Sequence, residues 1–382
     1  MRILDRYILK NFLVPFLYCL LGFVAIWLVS DTAEHINDFM SPKSSTHLIL
    51  LYYKTQLPQI IVLILPVALL LSLLFSLGKM SRANEIISML AAGKSLWRIT
   101  VPFVFVGIAV ACGSFALNRK LAPQADLEKK RIMDRISSGE DWHSFLVGEL
   151  FRNRTNFRTW YVQTIFLKRN EIDGLHITQQ DANGNIRRKY YAAAATYETL
   201  DKSWNFTGGK TVDFDIDGNQ TGEEQWQTKK ILGWSETPWR IMSASMEAQN
   251  LSLTELRQYL RINSDFTAAQ LAPYRTHYHY RWAVPATCLV VIFIAVPLGI
   301  VYSRRSVLAG VAGSIVIFFA MIFLDKLFLA LGKGDRIPAQ VAAWGPNAIF
   351  AIVGFFLLYM RATNRDMSAL NPWKFFRKTK HA

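Results

Sequence analysis

Cysteine is nearly missing from this chain. There are three in 382 residues, Cys19, Cys112 and Cys288, and each sits inside an apolar run. Three thiols so placed build neither a disulfide framework nor a Cys-rich zinc site. Charge is scarce too: 19% of residues are charged, where a soluble domain carries about a quarter. With 52% hydrophobic residues and a positive mean hydropathy, the composition excludes a disordered chain. It also argues against one ordinary soluble domain. The common catalytic signatures are absent. There is no HExxH or GxSxG, and Gly93-Lys94-Ser95, which resembles the end of a Walker A loop, has Ser88 where the motif needs glycine. The chain is therefore expected to bind no cofactor. If ATP drives it, another chain must split the nucleotide.

What is present is apolar length. Six segments stand out: Phe12–Ser30, Leu57–Leu77, Ile99–Leu117, Trp282–Tyr302, Val307–Leu331 and Ala339–Met360. A helix rises about 1.5 Å per residue and the hydrocarbon layer is about 30 Å thick, so each is long enough to cross. Without water to bond backbone amides, helix is the expected form, and Pro15, Pro66, Pro102, Pro297 and Pro346 are tolerated as kinks. The first segment is too long for the apolar core of a cleavable signal, and no small-x-small site follows it, so it is expected to remain as a span. Acids are outnumbered, 28 against 43 Lys and Arg, giving a net charge of +15. The excess is not spread evenly. With a cytoplasmic N-terminus, the cytoplasmic pieces 1–11, 78–98, 303–306 and 361–382 hold 15 basic and three acidic residues. The short outer loops 31–56 and 332–338 hold four of each. That asymmetry is the positive-inside pattern. It accounts for the basic charge without nucleic acid.

Residues 118–281 interrupt two groups of three spans. Arg158–Lys168, Leu175–Gln180, Ile186–Thr199, Trp204–Thr207, Thr211–Ile216 and Glu224–Ile231 read as strands, separated by turn signals such as Asp181–Asn185, Gly208-Gly209 and Asp217–Asn219. Close spacing predicts an antiparallel sandwich or jelly roll. Leu251–Ile262 reads as a helix, with Ser252 and Glu255 in capping-box spacing. Asp126–Ile136 reads as a charged helix extending the third span. The chain thus divides into a membrane half at 1–117, a β-rich insert at 118–281, a second membrane half at 282–360 and a basic tail at 361–382.

Four groups of residues are candidates for function. Ser81 as N-cap and Gly93 as stop frame a short amphipathic helix over 81–93 with Glu85 in its first turn; it either rests on lipid or docks a cytoplasmic partner. Asp31, Glu34 and Asp38 follow the first span at near-helical spacing, as a solvated helix end or as the mouth of a substrate cavity. Asp325 and Lys326 fall in the outer part of the fifth span, where charge is costly and often functional, although an interfacial position with Lys326 snorkelling is the plainer reading. His277 and His279 lack the further ligands zinc needs, and Tyr274, Tyr278, Tyr280 and Trp282 around them read as an interfacial aromatic belt.

The order of local motifs resembles the lipopolysaccharide-export permeases, the LptF/LptG (YjgP/YjgQ) family. The residues that carry it are Leu4-Asp5-Arg6-Tyr7-Ile8, Leu65-Pro66 with Leu77-Gly78-Lys79, Asn84-Glu85-Ile86 through Ala92-Gly93, Ala122-Pro123-Gln124, Tyr190–Tyr197 and Leu324-Asp325-Lys326-Leu327-Phe328. The first and last of these lean toward the LptG branch. The resemblance implies a non-catalytic half-transporter in the inner membrane of a Gram-negative bacterium, with both termini cytoplasmic and a periplasmic jelly roll. It implies a second homologous permease half, a dimer of a cytoplasmic ABC ATPase, a bridge of periplasmic and single-span Lpt proteins, and lipopolysaccharide as cargo. It places ATPase coupling at Glu85, with Arg82, Ile86, Met89 and Leu90 on the same helix, and a basic site at the cavity mouth near Lys130. The chain departs from the LptG pattern where lysines usually end the first span: Asp31, Glu34, Asn37 and Asp38 stand there. A partner subunit, bridging divalent cations or a modified lipid would then have to balance the lipid phosphates. Two other readings fit the same six spans: an ion-coupled transporter working through Asp325 and Lys326, and a membrane-anchored lipid-binding scaffold.

Overall fold

The computed structural model describes residues 3–41, 44–138, 145–166, 170–243, 246–300 and 306–363. The loop arginines Arg304 and Arg305, the end of the Arg158–Lys168 strand and most of the basic tail lie outside them. Ten α-helices and six strands follow in the order α1 (Ile3–Glu34), α2 (Ile36–Phe39), α3 (Thr46–Arg82), α4 (Glu85–Ala91), α5 (Leu96–Ser138), β1 (Phe145–Asn153), β2 (Arg158–Phe166), β3 (Glu171–Gln180), β4 (Ile186–Glu198), β5 (Ser203–Phe214), β6 (Gln220–Leu232), α6 (Pro238–Ser243), α7 (Leu253–Ile262), α8 (Ala268–Gly299), α9 (Ser306–Lys333) and α10 (Ala339–Ala362). A 3₁₀ turn at Ala248–Asn250 precedes α7.

Six helices among the described residues, α1, α3, α5, α8, α9 and α10, are long and apolar enough to cross a membrane. They form a bundle built on two of them. The apolar windows of α3 and α8 are 67% and 61% buried, against 6% for α1 and 22% for α9. The core joins Ile8, Phe12, Leu69, Leu73, Leu77, Phe103, Ile292, Val296 and Phe350. Small residues set the closest approaches. A Cβ on Gly107 of α5 would meet Ile292 Cδ1 at 2.1 Å, and one on Gly354 of α10 would meet the backbone of Phe293 at 3.0 Å. Two buried amides within the bundle bond across helices: Gln56 donates to the Ala125 carbonyl at 2.9 Å, and Asn347 to the Ala283 carbonyl at 2.8 Å. The third span and the charged helix after it are one rod. The 43-residue α5 runs through Pro123 without a break and is about 65 Å long at 1.5 Å per residue.

The insert is an antiparallel sheet of six strands in sequential order, β1 to β6. The strands are antiparallel, as the sequence predicts, but their path is a meander rather than the crossed connections of a jelly roll. The sheet is strongly curled. Trp160 on β2 is level with Thr211 of β5, three strand spacings away, and Trp204 lies seven residues along β5 from Thr211, about 27 Å from Trp160 in a flat sheet, yet their ring centroids are 5.2 Å apart. The trough they fill also holds Phe151, Ile177, Tyr190 and Phe206, and Ile241 and Met242 of α6 pack into the same core. Two strand expectations need correction. Trp204–Thr207 and Thr211–Ile216 are one strand, because Gly208 takes φ +62 as a local irregularity and Gly209 lets Trp226 and the Tyr191 carbonyl approach where a Cβ would meet them at 2.4 and 2.0 Å. The sequence reading also has no counterpart of β1, which pairs along β2 from Phe145↔Phe166 to Asn153↔Arg158.

The floor of the trough is held by Glu236, which is fully buried. Its carboxylate accepts Arg158 Nε at 2.8 Å, Arg158 Nη2 at 3.1 Å and Asn153 Nδ2 at 2.8 Å, while its carbonyl accepts Trp204 Nε1 at 2.7 Å. The Arg158 guanidinium also covers the Trp234 ring at 4.3 Å. Glu236→Ala would strand that guanidinium. It is expected to destabilise the β domain by about 3–5 kcal/mol, seen as early loss of its tryptophan signal on heating while the helical signal persists. At the exposed tips, the Asn219 backbone amide holds the Asp215 carboxyl below the usual range, and the Lys210 ammonium does the same to Glu223. Both folded-state values are depressed, so their support is present above the unfolded carboxylate range and is lost as pH falls through the depressed values. Amide exchange in the β5–β6 hairpin is expected to rise only below about pH 4, and unchanged exchange down to pH 2 would count against these contacts.

Candidate functional site

Candidate residues gather at the two ends of the bundle. At the end away from the sheet, α4 is a short brace between α3 and α5. The expected helix over 81–93 is shorter than read. Ser81 is buried within the last turn of α3, and the corner is made by Asn84 in the left-handed conformation at φ 59. The stop is as expected. Gly93 takes φ +76, and the amides of Gly93 and Lys94 close back on the carbonyls of Leu90 and Met89 at 3.0 and 3.1 Å. Ile86, Met89 and Leu90 pack into the bundle core, so these three anchor α4 and do not face outward. Arg82, Ile87 and Ser88 are exposed, and Glu85 is half-buried with an Oε2 that has no hydrogen-bond partner among the described residues. Just beyond α4, Arg98 grips Asp5 with two hydrogen bonds from Nη2, 2.8 and 3.0 Å long, which ties α5 to the start of α1. The sequence singles out Asp5 only within the Leu4–Ile8 motif and Arg98 not at all, since nothing local marks a pair 93 positions apart.

At the sheet end, the acidic close of α1 finds its counter-charge inside the same chain. Asp31 is 5% exposed. Its Oδ1 accepts the Tyr52 hydroxyl of α3 at 3.1 Å and lies 3.5 Å from Lys129 Nζ of α5. His35 Nδ1 lies 3.7 Å from the same oxygen, and the Lys129 ammonium sits 5.5 Å from the Tyr52 ring centre. Phe39, Tyr53, Ile132 and Ile136 pack around the group. Glu34 is exposed. Lys130 lies on α5 beside Lys129, and its side chain is outside the described ones. Asp325 is elsewhere in the bundle, accepting the Tyr280 hydroxyl of α8 at 2.7 Å, while Lys326 is exposed. No ion pair joins Asp325 to Lys326, or either of them to the Asp31 group, among the described residues. The sequence reading missed Lys129; the signal that could have found it is an extra lysine opposite an uncompensated acid.

Between these groups lies the neck of the insert. Asn118 on α5 and Arg281 on α8 exchange hydrogen bonds, Arg281 Nη1 to Asn118 Oδ1 at 2.9 Å and Asn118 Nδ2 to the Arg281 carbonyl at 3.2 Å. The same guanidinium donates to the carbonyls of Gln249 and Leu251 before α7.

A six-span helical bundle, interrupted in the middle by an antiparallel sheet and braced at the other end by a short helix, defines a multi-pass membrane protein with a seated extramembrane domain. Its sequence matches the family model for the lipopolysaccharide export system permease LptF/LptG over residues 6–360, and the chain belongs to that family. It is similar to the lipopolysaccharide export system permease protein LptG of Escherichia coli (strain K12), 22% identical over 373 residues, covering 94% of this chain and 99% of that one. The LptG of Haemophilus influenzae is likewise 22% identical over 368 residues, covering 93% and 98%. The protein is thus a permease component of the lipopolysaccharide export system.

Lys129→Met would leave the Asp31 carboxylate buried without its cation. It is expected to lower stability by about 1–3 kcal/mol. The double change Asp31→Asn with Lys129→Met should recover part of that loss in a detergent melting series. Strict additivity of the two changes would sink the pairing.

Proposed function

We propose that this chain is the non-catalytic membrane half of an ATP-driven exporter in the inner membrane. It pairs with a second homologous permease half and a dimer of a cytoplasmic ATPase. In this reading both termini and α4 are cytoplasmic and residues 118–281 are periplasmic. The basic residues support that orientation, with 15 Lys and Arg against three acids in the cytoplasmic pieces. The cargo is lipopolysaccharide, passed from the bundle to the curled sheet and onward to a bridge of single-span and periplasmic partners.

The observation that carries this reading is the construction of α4. Its apolar side is locked into the bundle by Ile86, while Glu85 keeps a buried carboxylate oxygen without a partner among the described residues. A force applied there cannot be absorbed by a loose loop. It passes through α3 and α5, and through Arg98 and Asp5 into α1. The work to be done is large, since each acyl CH₂ withdrawn from an apolar cavity costs about 0.8 kcal/mol and the cargo carries several chains. The sequence carries no complete Walker A motif to supply it, so ATP would be bound and split by the partner. The Tyr280–Asp325 bond makes the fifth-span acid a brace between α8 and α9 in this account, in place of an ion carrier.

Glu85→Arg reverses the charge at the docking position without touching the anchor residues. The variant is expected to insert normally but to co-purify with at least tenfold less ATPase, or to leave ATP hydrolysis uncoupled from lipid release. Normal export by that variant would defeat the proposal.

A further inference from the structure

A cavity of about 300 Å³ lies where the sheet-end termini of α8 and α9 meet the 3₁₀ turn, lined by Glu247, Gln249, Tyr274, His277 and Lys333 among others. None of these residues belongs to either candidate site described above. His277 is 5% exposed, and its Nε2 has no hydrogen-bond partner among the described residues. A buried ring nitrogen facing no partner is uncommon and calls for a ligand. Lys333 ends α9, yet its ammonium is not needed to cap that helix. The amides of Gly334, Asp335 and Arg336 already take the carbonyls of Ala330, Gly332 and Leu331 at 3.0–3.2 Å. Across the cavity Glu247 accepts Gln249 Nε2 at 2.5 Å through one oxygen only. Lys333 and Glu247 form no ion pair among the described residues. The wall between them is stiff: Tyr274 stacks on Tyr259 at 3.8 Å and its hydroxyl donates to the Met246 carbonyl at 3.0 Å.

The cavity is therefore lined by a cation and a buried imidazole as well as by a carboxylate and a side-chain amide. An anion alone leaves Glu247 repelled, and a cation alone leaves Lys333 repelled. A head group holding a phosphate and a primary ammonium a few bonds apart satisfies both. We propose that this cavity binds the phosphoethanolamine head of a resident membrane lipid, phosphate on Lys333 and His277 Nε2, ammonium on Glu247. The setting suits a lipid. Trp282 lies one turn and a half along α8 from His277 and is 45% exposed, as an interfacial aromatic would be. The exposed Phe319, Phe323 and Leu327 of α9 give that helix a surface for acyl chains. This site goes beyond the export reading and does not depend on it.

The test uses the full chain in mild detergent, supplied with phosphatidylethanolamine, phosphatidylglycerol or phosphatidylcholine of matched acyl chains, with retained lipid measured by native mass spectrometry. Phosphatidylethanolamine should be retained about tenfold better than the other two, the size of one charge-assisted hydrogen bond. Glycerol lacks the ammonium, and choline cannot donate to a carboxylate. Lys333→Gln should reduce phosphatidylethanolamine to the level of the others. Glu247→Gln should erase the preference over phosphatidylcholine while phosphate binding remains. Neither side chain is in the packed core, so unchanged melting of both variants keeps the comparison sound, and His277→Asn, of similar polarity, should give an intermediate loss. Equal retention of the three lipids by the native chain, or full retention by Lys333→Gln, overturns the proposal. Displacement of the lipid by millimolar inorganic phosphate or soluble phosphoethanolamine would assign the site to a free metabolite and overturn the lipid source. Glu85→Arg, at the opposite end, should keep the preference, so failure of the export reading leaves this result legible.

Discussion

A chain that leaves a membrane for more than 160 residues and then returns must fix its two crossing points relative to each other. Here the constraint is met by the mutual hydrogen bonds of Asn118 and Arg281. Arg281 is 9% exposed, and a guanidinium at that depth is tolerated only when its donors find acceptors. Its Nη1 and Nη2 find them in a side-chain amide of α5 and in two backbone carbonyls just before α7, while its Nε has no partner among the described residues, so one buried charge sets the exit helix, the re-entry helix and the base of the insert at once. The sheet is therefore seated on the bundle. The close packing of α7 on α8, through Tyr259 on Tyr274, continues the same joint.

Two physical regimes meet at that joint. Within the bundle there is little hydrophobic drive between helices once lipid surrounds them, so small residues and inter-helix hydrogen bonds carry the specificity. Gly107 against Ile292 and Asn347 on the Ala283 carbonyl are examples. Within the insert, water drives burial, and the curled sheet gathers Trp160, Trp204 and Phe206 into one aromatic core. The buried Glu236–Arg158 pair is the exception, a charged floor beneath an apolar trough. It is affordable because each carboxylate oxygen and each engaged guanidinium nitrogen is hydrogen-bonded, and because the Trp234 ring covers the guanidinium face.

The spans were legible because length and apolarity are local properties, and so was the capping box of α7, where Ser252 and Glu255 exchange hydrogen bonds at 2.8 and 3.3 Å. The strands were legible as strands, but their path was not. Curling that brings β2 and β5 together is a property of the whole sheet, and Gly208-Gly209 reads as a break until the Trp226 ring that occupies the space is known. At the candidate sites the sequence located α4 but could not orient it, since a seven-residue helix with apolar residues at 86, 87, 89 and 90 has no unambiguous face. It also flagged the acidic end of α1 without its answer. Lys129 lies 98 positions from Asp31 and is brought back only by the packing of α1, α3 and α5.

The length and continuity of α5 have a mechanical meaning. Its first turn holds Arg98, gripped to α1; its middle holds Asn118, at the neck; its outer part holds Lys129, beside Asp31. Pro123 does not interrupt it, so these three joints sit on a single stiff lever. A tilt of about 5° pivoted at the α4 end would carry the tip at Ser138 through about 6 Å, on a rod of about 65 Å. Small displacements near α4 would therefore arrive enlarged beneath the sheet, and arrive there together at the neck and at the acidic close of α1.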